Sequence, residues 1–217
     1  MQLDDPWIAR FRARLQAPLP GLQAQMQMMP EARLRAFNAT SWRIPDDARK
    51  SAVLILFYPG ESGLSFPLIE RSAYEGVHSR QIAFPGGATE PEDESPVHTA
   101  LREAEEEVGI LRHSVEVLGQ LSPMYIPPSN FLVQPVVGVL REQPRWRLQP
   151  TEVASVIETP ALPFAEGHFR STSTIQHRSG VEMDVPSFVI QGHVVWGATA
   201  MMLAELAIVL SDTRHHV

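Results

Sequence analysis

The chain has 217 residues, of which 44% are hydrophobic, 20% charged and 7% aromatic. That is enough apolar material for one sizeable core and excludes a chain disordered throughout. It contains no cysteine, which rules out disulfides, thiolate zinc sites, iron–sulfur clusters and cysteine nucleophiles, and suits a reducing cytoplasm. The formal net charge of −7 is the wrong sign for a protein that grips a nucleic-acid backbone.

The N-terminal stretch MQLDDPWIARFRARL is charged throughout and does not read as a secretory signal. Asp5-Pro6 reads as a helix start, Asp at the N-cap and Pro in the first turn, with Ile8, Phe11 and Leu15 following at helical spacing. Gln23–Met29 is expected to form a second short helix whose methionines fill core gaps. Residues 1–35 are thus expected as a helical extension docked on a main domain of residues 36–217.

Ala52–Tyr58 is a continuous apolar run closed by Pro59-Gly60, the pattern of a buried strand, with Gly63–Arg71 as its hairpin partner. A polar loop, Ser72–Arg80, leads to a short strand, Gln81–Phe84, that ends in Pro85-Gly86-Gly87. Ser95-Pro96 opens a helix that runs to about Val108 and is stopped by Gly109. Val115–Leu118 and Phe131–Leu140 read as strands separated by a turn at Pro127-Pro128. The residues around Ile175 and the run Val185–Ile190 are expected to pair through the turn at His177-Arg178-Ser179-Gly180. Gln191-Gly192 is a further turn before Val194–Trp196, and a last helix spans about Thr199 to Leu210. The run Val194–Leu210 contains Glu205 and is too short and interrupted for a membrane span. Irregular alternation of strands and helices predicts an α/β chain, a mixed β-sheet sandwiched between helices.

Charge is concentrated in one place. Between Glu90 and Glu107 stand Glu90, Glu92, Asp93, Glu94, Glu103, Glu105, Glu106 and Glu107 against Arg102 alone, so this segment carries the whole net charge of −7. Such a segment repels an anionic substrate unless divalent cations intervene. On a helix Glu103, Glu106 and Glu107 stand at i, i+3 and i+4 and share a face, while Leu101, Ala104 and Val108 form the apolar stripe. Arg102 lies four residues before Glu106 and can orient it. An acidic run alone reads as a solvated face. Here Gly86-Gly87 ends a strand just upstream, where backbone carbonyls can point at the same spot. Carboxylate, carbonyl and water oxygens together describe a Mg²⁺ or Mn²⁺ site.

Residues 87–110, GATEPEDESPVHTALREAEEEVGI, resemble the Nudix box. Its core is Arg-Glu-apolar-x-Glu-Glu-x-Gly-apolar, and residues 102–110 match every fixed position. The general box also places a Glu six positions after its first Gly and eight before its Arg. Here Asp93 meets the first count and Glu94 the second, because the segment is one residue longer. That lengthening is similar to the coenzyme A diphosphatase branch of Nudix hydrolases. The branch's upstream signature is matched by Leu68-Ile69-Glu70-Arg71-Ser72, His78-Ser79-Arg80-Gln81 and Phe84-Pro85-Gly86-Gly87. The resemblance continues through Pro128-Ser129-Asn130-Phe131 and from Val185-Pro186 to Trp196-Gly197-Ala198-Thr199-Ala200. Three positions depart: Arg80 stands where the branch has Gly, Gly76 where many members have Arg, and Glu70 where it has Thr.

The resemblance implies a Nudix-type fold and metal-dependent hydrolysis of the coenzyme A diphosphate, giving adenosine 3′,5′-bisphosphate and 4′-phosphopantetheine. It implies Mg²⁺ or Mn²⁺ held by Glu103, Glu106, Glu107 and the Gly87 carbonyl, with Arg102 in the catalytic set and Arg71, His78 and Gln81 on the substrate. Glu90 is a candidate partner of Arg102 or ligand of a further cation. Glu152, just after Pro150-Thr151, is a candidate base or extra ligand from a later loop. Trp146 and Trp196 read as packing residues. The alternatives are hydrolysis of ADP-ribose or another nucleoside diphosphate derivative, and a non-catalytic nucleotide-sensing domain, disfavoured because no metal carboxylate is missing. The expected partner is a small-molecule substrate in the cytoplasm, with no nucleic acid and no membrane; base rates alone make a homodimer the default.

Overall fold

The computed structural model describes residues 2–36, 43–72, 81–176 and 182–213. The chain opens with α1 (Asp5–Gln16), α2 (Gly21–Gln25), a 3₁₀ turn (Met26–Met28) and α3 (Glu31–Ala36). It continues with β1 (Arg49–Gly60), β2 (Gly63–Arg71), β3 (Ile82–Ala83), β4 (Gly86–Ala88) and α4 (Pro96–Val108). After these come β5 (Glu116–Gln120), β6 (Met124–Ile126), β7 (Phe131–Val139), β8 (Val153–Pro160) and α5 (Ala161–Ala165). The last elements are β9 (Arg170–Gln176), β10 (Glu182–Ile190), β11 (His193–Val195) and α6 (Gly197–Asp212).

β1 is the organising strand. It runs parallel to β7 along its length, pairs antiparallel with β4 at Ser51–Val53, and turns back into β2 at Tyr58↔Ser65. β5 and β6 lie on the far edge of β7, and β2 is flanked by β3 and β8. The result is an eight-stranded mixed sheet with a separate antiparallel sheet in the order β11-β10-β9. The apolar run of β1 is continuous because both its faces are covered. Ala52, Leu54, Leu56 and Tyr58 pack with Ala100, Ala104 and Val108 of α4. Ile55 and Phe57 point the other way, into a larger core with Trp7, Phe11, Phe66 and the apolar residues of α6. The mixed sheet between helices is therefore the architecture expected.

Several details differ from expectation. Asp4, not Asp5, caps α1: its backbone is extended and its Oδ1 accepts from the Trp7 N–H at 2.7 Å. β6, β8, α3 and α5 were not anticipated, and α6 begins at Gly197, two residues early. The expected pairing of β9 with β10 is present, while residues 73–80 and the turn at 177–181 lie outside the described residues. Glu205, inside the apolar α6, is buried and accepts from the N–H groups of Gly21 and Ser122 and from Gln25 Nε2. Three donors offset the cost of burying that carboxylate and tie α2 to α6. Among the described residues no helix is long and apolar enough to cross a membrane.

Candidate active site

The site forms where β4 meets α4. Ser95 caps the helix by accepting from the His98 N–H at 3.2 Å, Pro96 occupies its first turn, and Gly109 ends it at φ 77°. Gly86 lies against β1, where a Cβ would strike the Ala52 carbonyl and the Val53 backbone, so only glycine fits. Its N–H donates to Glu107 Oε2 at 2.8 Å. A Cβ on Gly87 would strike the Glu103 carboxylate. Gly86 thus lets β4 lie close on β1 with its N–H on Glu107, and Gly87 leaves room for the Glu103 carboxylate.

Glu107 is fully buried. Burial pushes its carboxyl up to about 7, against the pull of Arg71 and the Gly86 N–H, with Glu103 and Glu152 pushing further upward. Arg71 Nη1 donates to Glu107 Oε1 at 3.3 Å. Burial also raises the Glu103 carboxyl, opposed by Arg102 at 2.9 Å and reinforced by Glu106 and Glu152. Glu106 is half exposed and turns to Arg102 Nη1 at 3.0 Å and Arg112 at 4.0 Å. Glu103 and Glu106 thus share the Arg102 guanidinium, while Glu107 is drawn to Arg71.

Arg102 is held by a clamp that the sequence left ambiguous. Its Nε and Nη2 donate to the two oxygens of Asp93 at 3.1 and 3.0 Å, and Nη2 also donates to the Ala88 carbonyl at 2.9 Å. Asp93 is buried, and the Arg102 hydrogen bonds hold its carboxyl far below the usual range. Its Oδ2 accepts from the Glu90 N–H at 2.9 Å while its N–H donates to the Glu90 carbonyl, closing the turn. Glu90 itself reaches Arg102 only at 3.9 Å. Asp93→Ala is expected to cost about 3 kcal/mol in urea unfolding, the scale of breaking a buried pair. Glu94→Ala, at an exposed position, should change stability by less than about 0.5 kcal/mol. The Asp93 contribution is present above its unfolded pKa near ~4 and is lost as pH falls through its depressed folded value.

The structure gathers Gly87, Glu103 and Glu107 at one place and sets Arg102 and Glu106 beside them. Among the described residues no three carboxylates or histidines already converge as a ready ligand set. Arg71, expected on substrate, has its guanidinium on Glu107. The Gln81 carbonyl accepts from the Arg71 N–H at 3.0 Å, placing Gln81 at the end of β2. His78 and Arg80 lie outside the described residues. Trp146 packs edge-on against Tyr58 and lines the α4 core.

A model of the NUDIX domain family matches residues 48–171, the span from β1 into β9 that contains both glycines and α4. The chain belongs to the Nudix family. It is 40% identical over 170 residues to an uncharacterized Nudix hydrolase, NudL, of Photorhabdus laumondii, covering 76% of this chain and 87% of that one. A NudL of Pectobacterium atrosepticum is 38% identical over 169 residues, covering 76% and 84%. The solved structure of RenU, a Nudix hydrolase of M. smegmatis, superposes with a TM-score of 0.50 at 16% identity, covering 76% and 87%, and bears on the fold alone. This Nudix protein is accordingly a hydrolase of phosphorus anhydrides. Nudix hydrolases typically work with a divalent cation, and the donors fit one: hard carboxylate oxygens, those of buried Glu107 and partly buried Glu103 at raised proton affinity, beside a strand carbonyl.

Proposed function

We propose that this Nudix enzyme cleaves the diphosphate linkage of coenzyme A or a close derivative, with Glu103, Glu106, Glu107 and the Gly87 carbonyl as the Mg²⁺ or Mn²⁺ ligands. The observation that carries the reaction class is the pair of carboxylates packed against Gly86-Gly87, the buried Glu107 and the partly buried Glu103. A divalent cation, when bound, supplies charge neutralisation of the diphosphate and lowers the pKa of a bound water. The protein's share is positional. The Gly86 N–H fixes the buried Glu107, and the Asp93–Arg102 clamp sets the facing carboxylates Glu103 and Glu106.

The family match and the NudL relatives support Nudix-type hydrolysis without naming a substrate, and the wider reading is a nucleoside diphosphate derivative such as ADP-ribose. The narrower coenzyme A reading rests on the upstream signature through Arg71, His78 and Gln81 and on the extra residue between Gly87 and Arg102. The test is kcat/KM for coenzyme A, 3′-dephospho-coenzyme A and ADP-ribose at fixed metal and salt. A charge-assisted contact to the 3′-phosphate should favour coenzyme A by about 1.5–3 kcal/mol, roughly ten- to a hundredfold. Equal values for coenzyme A and its dephosphorylated form would remove that contact. A higher value for ADP-ribose would replace the coenzyme A reading with the wider one.

A further inference from the structure

We propose that Arg71 is the counter-ion that a divalent cation displaces from Glu107, so that this side chain sets the affinity of the site for Mg²⁺ or Mn²⁺. The inference rests on the metal-dependent reading above and concerns one oxygen. The Glu107 side chain is 1% exposed. Its Oε2 is tied to the Gly86 N–H at 2.8 Å, and Gly86 lies in a strand paired with β1. Its Oε1 accepts from Arg71 Nη1 at 3.3 Å. A cation that takes Glu107 by Oε1 meets the guanidinium there. Two positive charges at such range repel strongly where the protein excludes water. One of them leaves.

Arg71 is placed to be the one that leaves. Its backbone is fixed, because its N–H donates to the Gln81 carbonyl at 3.0 Å. Ser72, the next residue, donates by its N–H to the Glu152 carbonyl at 2.9 Å and by its hydroxyl to the Pro150 carbonyl at 2.8 Å. The register of β2 on β8 shifts between Glu70 and Arg71, and such a bulge re-aims a side chain. That side chain is 26% exposed, which gives the guanidinium a way toward solvent. Its contact with Glu107 is also longer than the ~2.7–2.9 Å of a tight charge-assisted bond. Arg102 is the contrast: both oxygens of Asp93 and the Ala88 carbonyl hold it in place beside Glu103 and Glu106. A carboxylate engaged by its own chain binds a cation more weakly, in proportion to the fraction of time it is free.

Mn²⁺ affinity of the full chain, followed by electron paramagnetic resonance, tests this for the wild type, Arg71→Met and Arg71→Lys. Arg71→Met should bind Mn²⁺ about ten- to a hundredfold more tightly, the scale of one hydrogen bond to a charged group, and Arg71→Lys should stay within about threefold of the wild type. General damage to the site loosens a cation, so tightening separates competition from a merely structural role. A folded Arg71→Met with equal or weaker affinity overturns the proposal. Should that variant not fold, a crystal structure of the wild type with Mn²⁺ decides. Mn²⁺ on Glu107 with the guanidinium gone from Oε1 supports the proposal, and a guanidinium still bonded to Oε1 beside the bound ion overturns it. Turnover is scored separately. A wild type that hydrolyses no nucleoside diphosphate derivative, beside variants whose affinities follow the expected order, keeps the proposal and overturns the hydrolytic reading. A wild type that binds no Mn²⁺ overturns the proposal together with the metal-dependent reading.

Discussion

Glu107→Gln is expected to lower kcat by about a thousandfold, the equivalent of ~4 kcal/mol of transition-state stabilisation lost with one cation ligand charge. The fold should survive, because glutamine is isosteric and its carbonyl oxygen can still accept the Gly86 N–H that Glu107 now takes at 2.8 Å. Stability should move in the opposite direction from activity. The Glu107 carboxyl is pushed up to about 7 in the folded chain, against about 4.3 unfolded. Between those values the folded state holds a proton that the unfolded state has released, so stability falls as pH rises through that window. The ionised form costs on the order of 3 kcal/mol above pH 7. Thermal unfolding in excess EDTA should therefore show the wild type losing stability from pH 5 to pH 8 relative to Glu107→Gln. A variant with wild-type kcat would reduce the acidic face to a solvated surface, and parallel pH profiles would remove the burial argument.

How far the sequence led depends on where each signal lies. α4 was legible because cap, proline, apolar stripe and terminal glycine all fall within Ser95–Gly109, and local signals of that kind do not depend on distant partners. β1 was legible because covering both faces leaves an uninterrupted apolar run. β8 was missed because Glu158 interrupts its pattern and its partner β2 lies more than eighty residues away. Glu158 is used there as a polar support, accepting from Tyr58 Oη and the Glu61 N–H.

The site divides the same way. Glu103 and Glu107 on one face follow from helical spacing, but Glu106 leaves that face's centre because Arg102 and Arg112 hold it. Whether Asp93 or Glu94 anchors Arg102 is undecidable by counting, since one inserted residue satisfies both counts. The turn closed between Asp93 and Glu90 decides it by burying Asp93 and leaving Glu94 outside. Arg71 was expected on the substrate because it belongs to the upstream signature with His78 and Gln81. Its guanidinium donates to Glu107, thirty-six residues on, a tertiary contact that local pattern does not show.

Removal of divalent cations is expected to abolish hydrolysis, with activity at least about a thousandfold lower in excess EDTA and restored by Mg²⁺ or Mn²⁺. The charge distribution requires it. Eight acidic residues between Glu90 and Glu107 face a diphosphate that is itself anionic, and Arg102 is the segment's single cation. Arg102 is also spent: Asp93, Glu103 and Glu106 all draw on it. Without an added positive charge the approach of substrate to Glu103 and Glu107 is repulsive on every side but that of Arg71. The same deficit predicts a readout independent of turnover. A cation that binds the folded chain alone should raise the unfolding free energy by about 2.7 kcal/mol at a hundred times its dissociation constant. That gain should grow with pH, since the cation competes with the proton that Glu107 keeps up to about 7. Glu107→Gln should lose most of both the gain and its pH dependence. Full turnover in EDTA, or an equal Mg²⁺-induced rise in melting temperature for wild type and Glu107→Gln, would separate the acidic face of α4 from any cation.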